Sequence, residues 1–474
     1  MSEHYHIIIP SEEPLSIEKA VSSLASALNR YRDECALPDH RDRAMLVTFR
    51  QPLQPTELPE WLCRQTVYPR LFWMNRERDF SVAGIGIADT IASEASGSNE
   101  ASFGLFARCI ASKDPDARYF GGFCFNNEEE QEPIWQEFSS FSFVLPLIQL
   151  TLENGAFAIS CHLWLECGDK LPAKISAITD MLKRVITDTD CSAMKLPELL
   201  NISYNPDEKN WIEQCQKALL TFDAGSMEKI MLARQTNLEF SHSFSPLLFL
   251  LQYPYPQNAI YRFYLEPIEN HAFFSFTPER LYRRDGNKLL TEALAGTCSK
   301  ESLNGDDHHA SEMLLNSEKD IREHNFVRDM IYDELLKICS NIDMEKEIKV
   351  LQLNRLAHLY TRCTAQLKPE FESDGDVLQL LHPTPAVGGV PKAPAMQHIL
   401  ELETFSRGWY AAPVGWVSRD AAEFCVAIRS ALVNGAIASL YSGAGLVKGS
   451  NPFAEWEEVD QKIGDILAIA RLEA

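Results

Sequence analysis

The hydrophobic pattern is clearest in the second half of the chain. Residues 228–240 read as a strand, with Ile230, Leu232, Thr236 and Leu238 alternating along part of it. Residues 258–264 and 272–276 are strand-like as well. Over 317–342, Ile321, Val327, Ile331, Leu335 and Ile338 fall near helical spacing and predict one long helix. Residues 424–432 and 437–441 predict a strand pair turned by Asn434-Gly435. Residues 452–474 predict a terminal helix, with Asn451 as its cap and Pro452 at its first position. Upstream the pattern is more broken. Short β-rich runs over 103–110 and 157–165 alternate with helical stretches, and helices are predicted over 173–187 and 208–221. The Ser/Ala/Gly-rich stretch 91–101 reads as a loop, 127–133 as an acidic turn, and 201–206 as the turn between the last two helices. The main boundary is therefore placed near residue 200, with 1–200 contributing to the same core as a catalytic region over 201–474. Adjacent strands mixed with long helices predict an α+β fold rather than regular βαβ winding.

Composition narrows the function classes. The 474 residues carry 67 Asp+Glu against 44 Lys+Arg, a formal net charge of −23. That balance works against nucleic acid and anionic membrane surfaces, which repel it, but not against a small anion that answers to local charge. The twelve cysteines are scattered, with no Cys-x-x-Cys and no zinc-finger spacing, and are expected to be reduced thiols. The first residues lack the basic and apolar regions of a signal peptide, and the most apolar stretch, 143–150, is too short to cross a bilayer. A cytoplasmic protein without membrane partners is expected.

Two predicted helices each carry a carboxylate pair at a spacing of three. These are Asp320 and Glu323 in one, and Glu455 and Glu458 in the other, with Lys462 four residues beyond. Such spacing puts the side chains on one helical face. Two acidic faces across a cleft would make an oxygen site suited to magnesium; the same spacing also describes an ordinary solvated face. Gly443-Ala444-Gly445 could let backbone amides approach an anion, or could be a simple turn, and Gly388-Gly389 is equally ambiguous. Lys229 opens an apolar strand, where desolvation favours its neutral form and the role of a base; a snorkelling strand-end lysine fits as well. Glu292 reads either as a functional acid or as an exposed strand-end carboxylate. His358 and Arg429, set in apolar runs, read either as site residues or as structural hydrogen-bonding groups.

Taken in order, these segments resemble the chorismate-utilising enzymes. The resemblance is carried by Lys229-Ile-Met-Leu-Ala-Arg234, Thr291-Glu-Ala-Leu-Ala-Gly-Thr297 and Ser317-Glu-Lys-Asp-Ile-Arg-Glu-His324. It continues through His382-Pro-Thr-Pro-Ala-Val-Gly-Gly-Val-Pro-Lys392, Arg407-Gly-Trp-Tyr410, the Arg429 strand, Gly443-Ala-Gly445 and Pro452-Phe-Ala-Glu-Trp-Glu-Glu458. The ordered match spans residues 227–474. A shorter stretch, Trp61-Leu-Cys-Arg-Gln-Thr-Val-Tyr-Pro-Arg-Leu-Phe-Trp73, is similar to the N-terminal region of the menaquinone-pathway members that form isochorismate. Lys229 stands where the water-adding members keep a lysine and the aminating members lack it. Ala386 is similar to the isochorismate-forming members, where salicylate formers usually have Thr.

The resemblance implies two antiparallel sheets packed face to face, surrounded by helices, with chorismate as substrate and Mg²⁺ as cofactor. It implies that water attacks C2 of the ring and the C4 hydroxyl leaves, with Lys229 as base and a protonated Glu292 as acid. By the same resemblance, Glu323 and Glu458 hold the metal directly with Asp320 and Glu455 nearby. Substrate is held by His358, Ala386, Tyr410, Arg429, the Gly443, Ala444 and Gly445 amides, and Lys462. A monomer or weak homodimer is expected. The alternatives are a salicylate synthase, an isochorismate synthase of siderophore biosynthesis, and a catalytically idle binding protein on the same fold.

Overall fold

The computed structural model describes residues 3–471 apart from 12, 35–43, 94–96, 130, 224, 255–259, 301–305, 354 and 372. Its strands pair into a 21-stranded hydrogen-bonded network. The ladders are antiparallel except the one joining Glu3–Ile8 to Met45–Leu53. With the surrounding helices this is an α+β fold, as the sequence pattern predicts.

Several strands bury both faces, and the two faces feed different cores. Because side chains alternate along a strand, Leu71 and Trp73 enter one apolar cluster while Phe72 and Met74 enter another. Phe263 and Phe273 follow the first pair; Tyr264, Phe274 and Phe276 follow the second. In the first cluster, aromatic side chains from segments distant in sequence meet: Phe123 against Phe424, Phe138 against Phe273, and Phe263 against Trp409. The second lies between strands and helices, where Leu24, Trp61, Ile175, Phe249 and Ile463 pack. Each such fully buried side chain contributes about 1.5–3 kcal/mol by leaving water.

Both halves of the chain build these ladders. Arg70–Met74 pairs with Tyr261–Ile268, and Tyr119–Phe123 pairs with Pro413–Val417. The strand Lys229–Phe240 is flanked by Ile437–Val447 on one side and by Leu199–Asn205 and the short Gly389–Val390 on the other. Lys288–Ser299 pairs with Leu356–Leu367, and the helix Glu318–Ile338 packs on both, burying Val327, Ile331, Leu335 and Ile338. The helix Pro452–Arg471 packs on Ile437–Val447 and on the helix Glu208–Asp223. Asn451 Oδ1 accepts from Phe453 N at 2.9 Å, as expected of its cap.

Sequence expectations change at several places. Residues 103–110 are helical, within Asn99–Ala111, because Phe103, Phe106 and Ile110 form a stripe at spacings of three and four. The helix predicted over 317–342 ends at Ile338, since Cys339–Met344 joins the ladder of Leu356–Leu367. The stretch 201–206 is not simply a turn: Leu199–Asn205 is a strand on the free flank of Lys229–Phe240. The run 424–432 is two strands, Ala421–Val426 and Ser430–Asn434, separated by the segment that carries Arg429. The predicted loop over 91–101 is mostly regular structure, since 91–93 end the strand Phe80–Ser93 and 99–101 open the helix Asn99–Ala111; its residues 94–96, the start of the predicted strand over 258–264 and the end of the terminal helix lie outside the described residues.

Candidate active site

A cavity opens where these elements converge. Of the residues singled out in the sequence, Glu323, His358, Ala386, Tyr410, Arg429, Gly443 and Lys462 line it. Lys229 stands one contact behind the wall: its Nζ donates to Glu323 Oε1 at 2.8 Å, and the lysine is fully buried. The lysine strand and the Ala386 segment are locked in register, Val390 opposite Lys229 and Gly389 opposite Ile230.

Gly443 and Gly445 are not in a loop, contrary to the sequence reading. They lie inside the strand Ile437–Val447, opposite Ala233 and Met231. Alternation points Ala444 the other way, into the apolar core. The glycines are needed for close approach. A Cβ on Gly443 would stand 2.9 Å from the Tyr410 hydroxyl, and one on Gly445 would stand 2.9 Å from Glu323 Oε1 and 3.3 Å from Lys229 Cε. Lys462 Nζ donates to Gly443 O at 3.0 Å and pairs with Glu458 Oε1 at 2.7 Å.

Arg429 takes a positive φ of 50°, a strained backbone for a residue with a Cβ. Its Nη2 donates to His358 Nε2 at 2.6 Å. An imidazole accepting at Nε2 carries its proton on Nδ1, which is 3.2 Å from Gly296 O. Burial and the Arg429 charge hold His358 well below its usual range, so the ring is neutral. Tyr410 stacks on Tyr441 with ring centroids 5.5 Å apart.

Glu292 is not placed in the cavity wall. It sits mid-strand in Lys288–Ser299, its side chain fully buried, and accepts a bidentate pair from Arg76 at 2.5 and 2.7 Å. Arg280 N donates to the same carboxylate at 3.2 Å. The guanidinium of Arg76 thus holds this carboxylate in a buried ion pair. Two acids do line the cavity: Glu323, paired with Lys229, and Glu279, in the short turn between His271–Thr277 and Arg280–Asp285; it is Glu279 that has no lysine partner. Burial, and then the nearby Glu292 charge, push its carboxyl up to about 8. The sequence signal was slight: Pro278-Glu279 closely follows the apolar run 272–276.

The acidic helices face the same region. Glu455 is buried, and Lys319 Nζ reaches its Oε1 from the other helix at 3.1 Å. Lys319 also feels Glu458 and Glu323. Asp320 Oδ1 accepts from Thr297 N at 3.4 Å, and burial raises its carboxyl. Each of the three glutamates is held by a lysine: Glu323 by Lys229, Glu455 by Lys319 and Glu458 by Lys462. The donor set is carboxylate oxygen alone, on two facing helices, which fits a hard cation such as magnesium rather than a nitrogen- or sulfur-seeking one.

Arg407 and Glu403 were not read as site residues beyond the Arg407 motif. Arg407 donates to Met231 O and Val387 O, each at 2.8 Å, and pairs with Glu403, whose Oε1 accepts from Ala233 N at 2.8 Å. One buried ion pair thus ties the lysine strand to the Ala386 segment.

This arrangement can be set against known proteins. The family described as "Chorismate binding enzyme" matches residues 30–470. The chain belongs to the chorismate-binding enzymes. This chorismate-binding enzyme is 32% identical over 354 residues to isochorismate synthase MenF of Bacillus subtilis, covering 74% of each chain. It is 28% identical to isochorismate synthase MenF of Haemophilus influenzae over 95% of this chain and 98% of that one. Among solved structures it is similar to MenF, the menaquinone-specific isochorismate synthase from Escherichia coli, with a TM-score of 0.83 and 25% identity. That likeness covers 96% of this chain and 100% of the other. No described helix of the chorismate-binding enzyme is long and apolar enough to cross a membrane.

Proposed function

We propose that this chorismate-binding enzyme is an isochorismate synthase serving menaquinone biosynthesis. The observation that carries the reading is the pairing of a buried lysine, Lys229, with an acid that burial keeps protonated near neutrality, Glu279, around one cavity. Isomerisation needs both. Lys229 takes a proton from the water that attacks C2 of the ring. The ring double bonds shift, and Glu279 protonates the C4 hydroxyl, which leaves as water. One water is consumed and one released, so substrate and product are isomers. General acid and base groups work best when their proton affinities lie near the operating pH.

Arg429 holds the side-chain carboxylate of chorismate, assisted by Tyr410 and the Gly443 backbone, because a guanidinium can grip a carboxylate through two parallel bonds. His358 keeps Arg429 aimed. Glu323 and Glu458 would hold Mg²⁺, with Asp320 and Glu455 nearby, and a bound magnesium would neutralise and orient the ring carboxylate. With Glu323 so engaged, Lys229 would be without its ion-pair partner. Lys462 offsets the remaining acidic charge. The deciding experiment is product analysis of purified protein supplied with chorismate and magnesium. Isochorismate as the main product supports the reading; salicylate or no conversion overturns it.

Two further outcomes are expected. Glu323→Gln and Glu458→Gln should each abolish turnover, and the parent should lose turnover in excess chelator and regain it with added Mg²⁺. Full activity in chelator would remove the metal from the scheme. Ala386 lines the cavity beside Val387, and Ala386→Thr should raise a salicylate side product, measured by its fluorescence during turnover. An unchanged product ratio would free this position from any part in specificity.

A further inference from the structure

Far from this cavity, the strand Glu3–Ile8 carries two histidines on one face. His4 and His6 are two residues apart on a strand, so their side chains point the same way. They pair in register with Leu46 and Thr48. Their ring centroids are 3.9 Å apart. Opposite them, in the turn between the helix Asn99–Ala111 and the strand Tyr119–Phe123, lies Asp116. Among the described residues, His4, His6 and Asp116 form the one group of three whose ligand atoms all fall within 4.8 Å of one another. We propose that these three side chains bind a divalent transition-metal ion such as Zn²⁺ or Co²⁺.

The spacing suits such an ion. His6 Nε2 and Asp116 Oδ2 are 3.6 Å apart, too far for a hydrogen bond. Four bonds of about 2.0–2.1 Å at tetrahedral angles put neighbouring ligand atoms about 3.3–3.4 Å apart, close to the separation of His6 and Asp116. Support behind the ligands is already built. His4 Nδ1 is 2.7 Å from Asp114 Oδ1, and its Nε2 is 2.9 Å from Thr48 Oγ1. Whichever nitrogen ligates, the other keeps a partner that fixes the ring, the usual arrangement of metal-bound imidazoles. Asp114 Oδ1 also accepts from Asp116 N at 2.9 Å, which sets the turn that presents Asp116.

A second observation points to a ligand independently. The same cleft is lined by His162, which is 6% exposed. Its Nδ1 is 2.9 Å from Thr48 Oγ1, while its Nε2 is buried without a hydrogen-bond partner. Burial holds this imidazole neutral, lowered to about 3. A neutral, unpartnered imidazole nitrogen in a cleft with two further histidines and a carboxylate is a donor left over for an ion or its bound water. Imidazole donors favour zinc, cobalt, nickel and copper over magnesium, so the site is chemically separate from the all-carboxylate one. Its occupant would fasten the strand Glu3–Ile8 to the turn over 112–118.

The test uses the full chain without a histidine tag, stripped with chelator and held in excess Mg²⁺ to fill the carboxylate site. Titration with Co²⁺, followed by its visible d–d absorption, is expected to saturate at one equivalent and to reverse with Zn²⁺. Zn²⁺ should raise the melting temperature of the parent, since it binds the folded state. His6→Ala, at an exposed position, should abolish both effects with its fold intact by circular dichroism. Asp114→Asn should weaken binding by about 10–100-fold, the usual cost of losing a group behind a metal-bound imidazole. The proposal is overturned if the parent binds no Co²⁺, if His6→Ala binds as tightly as the parent, or if a thiolate charge-transfer band assigns the ion to cysteine. None of these outcomes bears on chorismate turnover.

Discussion

Lys229→Ala is expected to fold like the parent and to convert chorismate about 10²–10⁴ times more slowly, the usual cost of losing a general base. The lysine is buried with one ion-pair partner, Glu323, and its neighbours in the ladder are Val447 and Val390. Alanine keeps the strand but removes the proton acceptor. It also leaves Glu323 free of its lysine, so cation affinity should be retained or rise. Steady-state turnover, a magnesium titration and circular dichroism together check the expectation. Near-parental isochorismate formation by a well-folded variant would remove Lys229 as the base.

Glu279→Gln should cost a similar factor in turnover, and here pH gives an independent readout. A carboxyl raised to about 8 is protonated, and able to donate, below that pH. The parent's rate should therefore fall as pH rises through about 8, and the residual rate of Glu279→Gln should lack that limb. Glu292→Gln should behave differently. It leaves the buried Arg76 guanidinium without its carboxylate, and breaking one side of a buried pair costs about 3–5 kcal/mol. Its effect should appear first as a lower melting temperature. A well-folded Glu292→Gln that loses turnover and the alkaline limb, beside a Glu279→Gln that keeps both, would reverse the assignment.

These two glutamates also show how far the sequence could be read. Motif order brought out Lys229, Glu323, His358, Ala386, Tyr410, Arg429, Gly443 and Lys462, and the structure gathers seven of them at the cavity with Lys229 one contact behind. It could not say which acid in a strand-rich segment meets the cavity. That depends on Arg76, more than two hundred residues away in sequence, which claims Glu292. Periodicity had a similar limit. Short apolar runs suit either a strand or a helix, so residues 103–110 were misread although Phe103, Phe106 and Ile110 carry the helical spacing. The edge strand Leu199–Asn205 exposes much of its surface and was hidden behind turn-forming residues. The glycines of Ile437–Val447 looked like a loop because sequence shows small residues, not the Tyr410 and Glu323 side chains that leave no room for larger ones.

The ladders that join Arg70–Met74 to Tyr261–Ile268 and Tyr119–Phe123 to Pro413–Val417 bear on how such a gene can be cut. A break near residue 200 would divide the polypeptide without dividing the molecule. Each piece would present unpaired strand edges whose complements lie in the other, and Glu292 would be parted from Arg76. Neither piece is then a transplantable module. Two separately synthesised fragments should recover activity only by finding each other, which makes this chain a candidate for split-protein reporting rather than for domain shuffling.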